Sequence, residues 1–264
     1  MTRLSVMLVL TVLAVGCTPY RVTKDLAYGP GARQTFDFYE PLVDLAGSPR
    51  PVLLVAHGGA YIGGDKSWAD SVAKQFCPWG YALMAINYTL AVEGSSATTW
   101  PRQLDDAKAA LAYLQGPTAA WMKIKQPVAG LGVSAGAHLM AALHLQGNLP
   151  FAVCAAGPYA FDEIATPNLD PALRVLLGIP PGDPFPPGSR EAISPDSWAV
   201  PGADILLIHG RRDPVCVYEH ATRFEESILM AGGKAKLVPI DTSSHGSVWS
   251  DAVWTTRRWL RARQ

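Results

Sequence analysis

With 264 residues, 49% of them apolar, and 22 basic residues balanced by 22 acidic ones, the chain can build one large-cored domain. Zero net charge gives no overall electrostatic footprint for nucleic acid or for an anionic membrane surface, and the apolar and aromatic content excludes a disordered chain.

Residues 1–16 stand apart from the rest of the chain. Arg3 supplies a positive start, and Leu4 to Val15 is apolar except for Ser5 and Thr11. Twelve helical residues reach ~18 Å, short of a ~30 Å hydrocarbon core, so the run reads as a signal peptide and not as a membrane span. It ends Leu13-Ala14-Val15-Gly16-Cys17, which resembles the bacterial lipobox, with Ala14 where leucine is usual. That resemblance implies lipidation at Cys17; an ordinary secretory signal cut nearby is the alternative. Thr18 comes next, in place of the aspartate of an inner-membrane retention signal. The expected location is therefore outside the cytoplasm, anchored at the outer membrane or cell surface of a bacterium, with residues 17–264 as the mature domain.

From about residue 50 to the end the chain alternates apolar runs with helical patterns. Residues 25–40 are expected to form two antiparallel edge strands around a Tyr28–Gly31 turn. Short continuous apolar runs at 51–56, 81–86, 127–131, 151–155 and 205–208 read as strands of a parallel sheet buried on both faces, joined by a further strand at 234–241. Helical patterns cover 67–77, 103–115, 135–146, 217–231 and 247–262. Strand and helix in repetition predict a doubly wound α/β domain with helices on both faces. The Pro-rich stretch 158–203, with a helical piece at 170–178, is either a functional lid or a surface crossover. Cys77, Cys154 and Cys216 remain after Cys17; their number is odd, and they are expected as buried inert thiols, although export makes a disulfide chemically possible.

The chemistry starts at Gly132-Val-Ser134-Ala-Gly136. It lies where a strand turns sharply into a helix, a position that strains the nucleophile's backbone, lifts the Ser134 hydroxyl clear of the sheet and needs small neighbours. His57-Gly58-Gly59-Ala60 comes after a strand some 75 residues earlier. Consecutive glycines let backbone N–H groups approach a developing oxyanion, and Gly59, Ala60 and Ala135 are the candidates. His57 reads as a brace for that loop. The base must come late, between the last strand and the last helix, where His245 stands. His138, His144, His209 and His220 sit in helices or at a strand end. Asp213 comes after the 204–209 strand, 32 residues before His245, and is the leading candidate for the acid over Asp204 and Asp241.

In this order, with Phe36-Asp-Phe-Tyr-Glu-Pro41 ahead of them, the motifs resemble the α/β-hydrolase esterases. More narrowly they are similar to the carboxylesterases related to hormone-sensitive lipase and to bacterial feruloyl-esterase-like enzymes, kynurenine formamidase included. The resemblance implies the α/β-hydrolase fold from about residue 25 onward. It also implies ester hydrolysis by a Ser134–His245–Asp213 triad through an acyl-enzyme. Ala60 departs from the third glycine of the oxyanion motif, and Tyr61 stands where formamidases carry tryptophan. The long N-terminal cap of the hormone-sensitive-lipase group is missing, so an open pocket for small or short-acyl esters is expected. An arylformamidase-like amide hydrolase and an inactive binding lipoprotein are the rival readings. The expected partner is a small-molecule ester. No cofactor, metal or nucleic acid is called for, and the membrane is met through the Cys17 anchor alone.

Overall fold

A computed structural model describes residues 18–43, 49–246 and 248–263. The expected signal segment 1–16 and Cys17 lie outside the described residues. Eight strands form one sheet: β1 (Tyr20–Ala27), β2 (Thr35–Pro41), β3 (Arg50–Ala56), β4 (Ala82–Ile86), β5 (Ile124–Val133), β6 (Ala152–Ala155), β7 (Asp204–Gly210) and β8 (Lys234–Ile240). Their spatial order is β1-β2-β4-β3-β5-β6-β7-β8. β2 is antiparallel to both β1 and β4, and every other pair is parallel. Six α-helices accompany it: α1 (Ala69–Phe76), α2 (Arg102–Gln115), α3 (Ala135–Leu145), α4 (Asp170–Leu177), α5 (Glu219–Met230) and α6 (Val248–Arg261).

The period of two in a strand sorts the core into two layers. Val52, Leu54 and Ala56 of β3 face the cluster under α2, α3 and α5, with Leu104, Leu111, Leu139 and Phe224. Leu53 and Val55 face the opposite cluster under α1 and α6, with Val72, Phe76, Trp249 and Trp259. Each fully buried leucine or valine stabilises the fold by about 1.5–3 kcal/mol, so a polar residue on either face of β3 is costly. This explains why the strand reads as an unbroken apolar run.

Two expectations change in detail. β2 is not an edge: it lies between β1 and β4, with Phe36, Phe38 and Tyr39 buried. The helix expected from 67 begins at Ala69. Lys66–Trp68 is instead a tighter 3-10 turn, where the Asp65 carboxylate caps the Ser67 N–H at 2.9 Å and Asn87 accepts the Lys66 N–H at 2.8 Å.

The stretch 158–203 is tied to the body of the fold, where Leu176 O accepts the Trp100 N–H at 2.8 Å and Ile193 O accepts from His138 Nε2 at 2.7 Å, and it is also braced within itself. Ser194 Oγ accepts the Phe161 N–H at 2.8 Å, and Tyr159 O accepts the Asp196 N–H at 3.1 Å. Arg190 reaches Asp170 at 2.7 Å and covers the Phe185 ring, and Leu173, Leu176 and Ile193 join Phe161 in a third apolar cluster. Cys77, Cys154 and Cys216 are free and buried; burial pushes the Cys77 thiol up to about 12 and raises the other two as well.

Candidate active site

The strand-to-helix turn is built by its glycines. Ser134 links β5 to α3 at φ 54° and ψ −123°, outside the ordinary regions for a side-chain-bearing residue. A Cβ on Gly132 would stand 2.1 Å from Gly136 O, and one on Gly136 would stand 2.2 Å from Ala56 O. Neither position tolerates alanine without a backbone shift. The Ser134 N–H donates to Ala155 O at 2.8 Å, which holds the turn against β6. Ser134 Oγ thus sits over the N-terminus of α3, the end that favours negative charge.

His245 and Asp213 meet it from separate loops. His245 Nε2 lies 3.0 Å from Ser134 Oγ, and His245 Nδ1 lies 2.8 Å from Asp213 Oδ2. The carboxylate can only accept, so Nδ1 carries the proton and Nε2 presents its lone pair to the hydroxyl. Asp213 Oδ1 accepts the N–H groups of Val215 at 2.9 Å and Cys216 at 3.0 Å. Burial raises the Asp213 carboxyl, but hydrogen bonds from His209, His245 and the Val215 N–H outweigh it and hold the pKa well below the usual carboxylate range. Asp213 stays ionised. Gly210 allows this approach, since a Cβ there would stand 2.3 Å from Ser243 O.

The other aspartates weighed from the sequence are elsewhere. Asp241 is exposed and paired with Arg211 at 2.9 Å; Asp204 is held by Arg263 at 2.7 Å.

The loop after β3 brings Gly58 to Ser134, where an added Cβ would stand 3.1 Å from the serine's own Cβ. Gly59, Ala60 and Tyr61 all have positive φ (120°, 51° and 68°), a run that turns the backbone back on itself. Gly59 and Ala60 line the cavity with Ser134, and Ala135 begins α3 beside them. Among the described residues no acceptor is paired with the N–H of Gly59, Ala60 or Ala135. His57 braces the loop: its ring stacks on Tyr88 at 4.4 Å, its Nδ1 meets Gly58 O at 2.6 Å, and burial lowers its pKa to about 4.

The cavity over Ser134 has a volume of about 430 Å³. Leu169 and Val215 supply apolar wall, the stacked rings of Trp68 and Trp249 (6.2 Å apart) stand at the far side, and the Asp65 carboxylate lies at the rim. A larger groove of about 630 Å³ lies along the C-terminal half of α6 and contains none of these groups, so size does not locate the chemistry. Sequence reasoning missed Trp68 and Trp249 as parts of the cavity wall. Neither carries a local motif. His209 was visible only as the end of a strand. No group of residues able to hold a metal occurs among the described residues.

Residues 36–153 match the BD-FAE family model. The chain is 29% identical to Esterase LipQ of Mycobacterium tuberculosis (strain ATCC 25618 / H37Rv) over 80% of its own length and 53% of the relative's. It is 27% identical to Esterase LipC of the same organism, over 78% and 54%. The chain therefore spans about half the length of these curated relatives. Among solved structures, a truncated carbohydrate esterase from gut microbiota superposes with a TM-score of 0.81 at 21% identity, covering 92% of this chain and 98% of that one. Thermogutta terrifontis esterase 2, phosphonylated by sarin, gives 0.74 at 19% identity, covering 93% and 95%. Sheet order and these structural neighbours show the α/β-hydrolase fold, and the curated relatives the chain resembles are esterases.

Proposed function

We propose that the protein is a serine carboxylic-ester hydrolase acting on small or short-acyl esters. The observation that carries this reading is the unbroken relay from Ser134 Oγ through His245 to the ionised Asp213 carboxylate, at 3.0 and 2.8 Å. His245 Nε2 takes the hydroxyl proton as Ser134 Oγ attacks the ester carbonyl. Asp213 fixes the imidazole tautomer and stabilises the imidazolium, and the N–H groups of Gly59, Ala60 and Ala135 receive the oxyanion. His245 then protonates the departing alcohol, leaving an acyl-enzyme on Ser134. Water attacks that ester in turn, with His245 again as base, and releases the acid. The names of the esterase relatives support the bond type, and the 430 Å³ cavity supports a small substrate.

The test is labelling by a fluorophosphonate probe together with hydrolysis of p-nitrophenyl acetate. Ser134→Ala is expected to remain folded and lose both. Labelling that persists in the variant assigns the nucleophile to another residue, and absence of both activities in the parent protein leaves a hydrolase fold that only binds.

Export and lipidation at Cys17 form the second part of the reading, supported by the apolar run and the lipobox resemblance in the sequence. No described helix is long and apolar enough to cross a membrane. Wild-type protein is expected to incorporate labelled fatty acid and Cys17→Ser to lose the label. An unlabelled wild-type protein with a different mature N-terminus would reduce the segment to an ordinary signal.

A further inference from the structure

The net charge is zero, but the charge is sorted in space. α6 starts at the active-site cavity, which Val248 and Trp249 line, and runs ~20 Å to the other end of the sheet. There it meets the first residues of β3 and β5 and the turn before β4. Trp79 and Trp254 lie ring to ring at 5.3 Å, with 41% and 69% of their surfaces exposed. The Arg257 guanidinium lies 3.1 Å from the Trp79 ring centroid and 5.5 Å from that of Trp254. Two grooves meet at Arg257 and Arg261; Lys125, Lys236, Arg258 and the Asp204-paired Arg263 complete their basic lining, and among the described residues neither is lined by an aspartate or glutamate. Among the described residues no carboxylate pairs with Arg257, Arg258 or Arg261.

The chain enters the fold at this same end. Tyr20 opens β1 opposite Pro41, its ring packs on Tyr39 at 5.4 Å, and Tyr39 pairs with Leu83 near the start of β4. Cys17 is three residues ahead of Tyr20, a reach of at most ~11 Å. Ser134 is at the opposite end of β5, ten residues and ~30 Å away.

We propose that the face formed by Trp79, Trp254, Arg257 and Arg261 is a membrane-docking surface that seats the domain on an anionic phospholipid leaflet, with the active-site cavity turned away from it. Tryptophan rings suit the headgroup level, with the apolar ring body inward and the N–H toward water. Unpaired arginines beside them add attraction to lipid phosphates, on the order of fivefold in binding per cation. The orientation rests on the proposed lipid at Cys17; the surface does not.

The test uses the protein as isolated from cells that export it, mixed with vesicles of phosphatidylcholine and phosphatidylglycerol carrying brominated acyl chains. Wild-type tryptophan fluorescence is expected to be quenched, and Trp79→Phe/Trp254→Phe to lose most of that quenching. Arg257→Glu/Arg261→Glu, or vesicles without phosphatidylglycerol, should reduce it by about fivefold or more. Retained hydrolysis of p-nitrophenyl acetate shows that each variant is folded. Quenching that is absent, or equal in all three proteins, overturns the proposal. So does a dimer in solution that Arg257→Glu/Arg261→Glu dissolves, because a second copy then covers the face. Quenching without fatty-acid incorporation upholds the surface and removes only the anchor.

Discussion

His209 Nε2 lies 3.4 Å from Asp213 Oδ2, the same carboxylate oxygen that holds His245 Nδ1 at 2.8 Å. The His209 N–H is shared, with Cys216 O nearer at 2.7 Å. One buried imidazole therefore ties the acid to the chain just beyond it and takes part of its negative charge.

Removing that donor leaves more carboxylate charge for His245 and so favours the imidazolium over the neutral base. His209→Phe is expected to move the acid limb of the kcat/KM profile to higher pH by about half a unit to one unit. kcat should fall about tenfold with KM little changed, and His209→Gln, which keeps an N–H donor, should recover part of the rate. A pH profile superimposable on the wild type's would make His209 a packing residue only.

Asp213 and Asp241 separate cleanly by substitution. Asp213→Asn keeps the shape but reverses the hydrogen-bond demand on His245 Nδ1, and kcat is expected to drop on the order of 10⁴-fold. Asp241 is 82% exposed at its side chain and engages Arg211, so Asp241→Asn should stay within about twofold of wild type. A crippled Asp241→Asn beside a mild Asp213→Asn would reassign the acid.

Acid should unfold the protein earlier than its carboxylates alone require. Burial lowers His57, His138 and His220 to about 4. His220 Nδ1 accepts the N–H groups of Tyr159 and Ala160, so protonation there breaks two hydrogen bonds. The unfolded chain takes these protons near pH 6.5 and the folded one only near 4, so stability present above 6.5 is lost as pH falls between them. Each histidine contributes about 1.4 kcal/mol per pH unit in that window. Chemical denaturation at stepped pH is the measurement; a midpoint constant from pH 6.5 to 4.5 contradicts it.

Acyl-chain preference is set by the cavity wall. The 158–203 stretch gives Leu169 to that wall, and it is pinned to the body by the Trp100 N–H on Leu176 O, by His138 on Ile193 O and by an apolar cluster shared with Tyr61 and Ala135. Without a long apolar channel, each added methylene gains little of the ~0.8 kcal/mol that full burial supplies. On a p-nitrophenyl ester series, kcat/KM is expected to be highest from acetyl to butyryl and to fall by octanoyl. Rates that climb steadily past eight carbons would mean a wall that opens.

The sequence by itself determined the order of elements and the serine of the relay. Both are written locally: a doubly buried strand must be an apolar run, and a serine at a sharp strand-to-helix turn must have Gly132 and Gly136 beside it. His245 was legible because it stands in the late loop between the last strand and the last helix; Asp213 only led Asp241 and Asp204 in the sequence, and packing brought it alone of the three to His245. The tertiary structure alone decided what surrounds them. Trp68 and Trp249 stand on different elements 181 residues apart, and no periodicity pairs them; β2 became interior because β1 covers its free side. In the sequence the basic, aromatic end of α6 reads as ordinary helix decoration, and only packing sets Trp79 and the strand starts against it. Local chemistry names the reacting groups. Long-range packing, which no short window contains, chooses their neighbours.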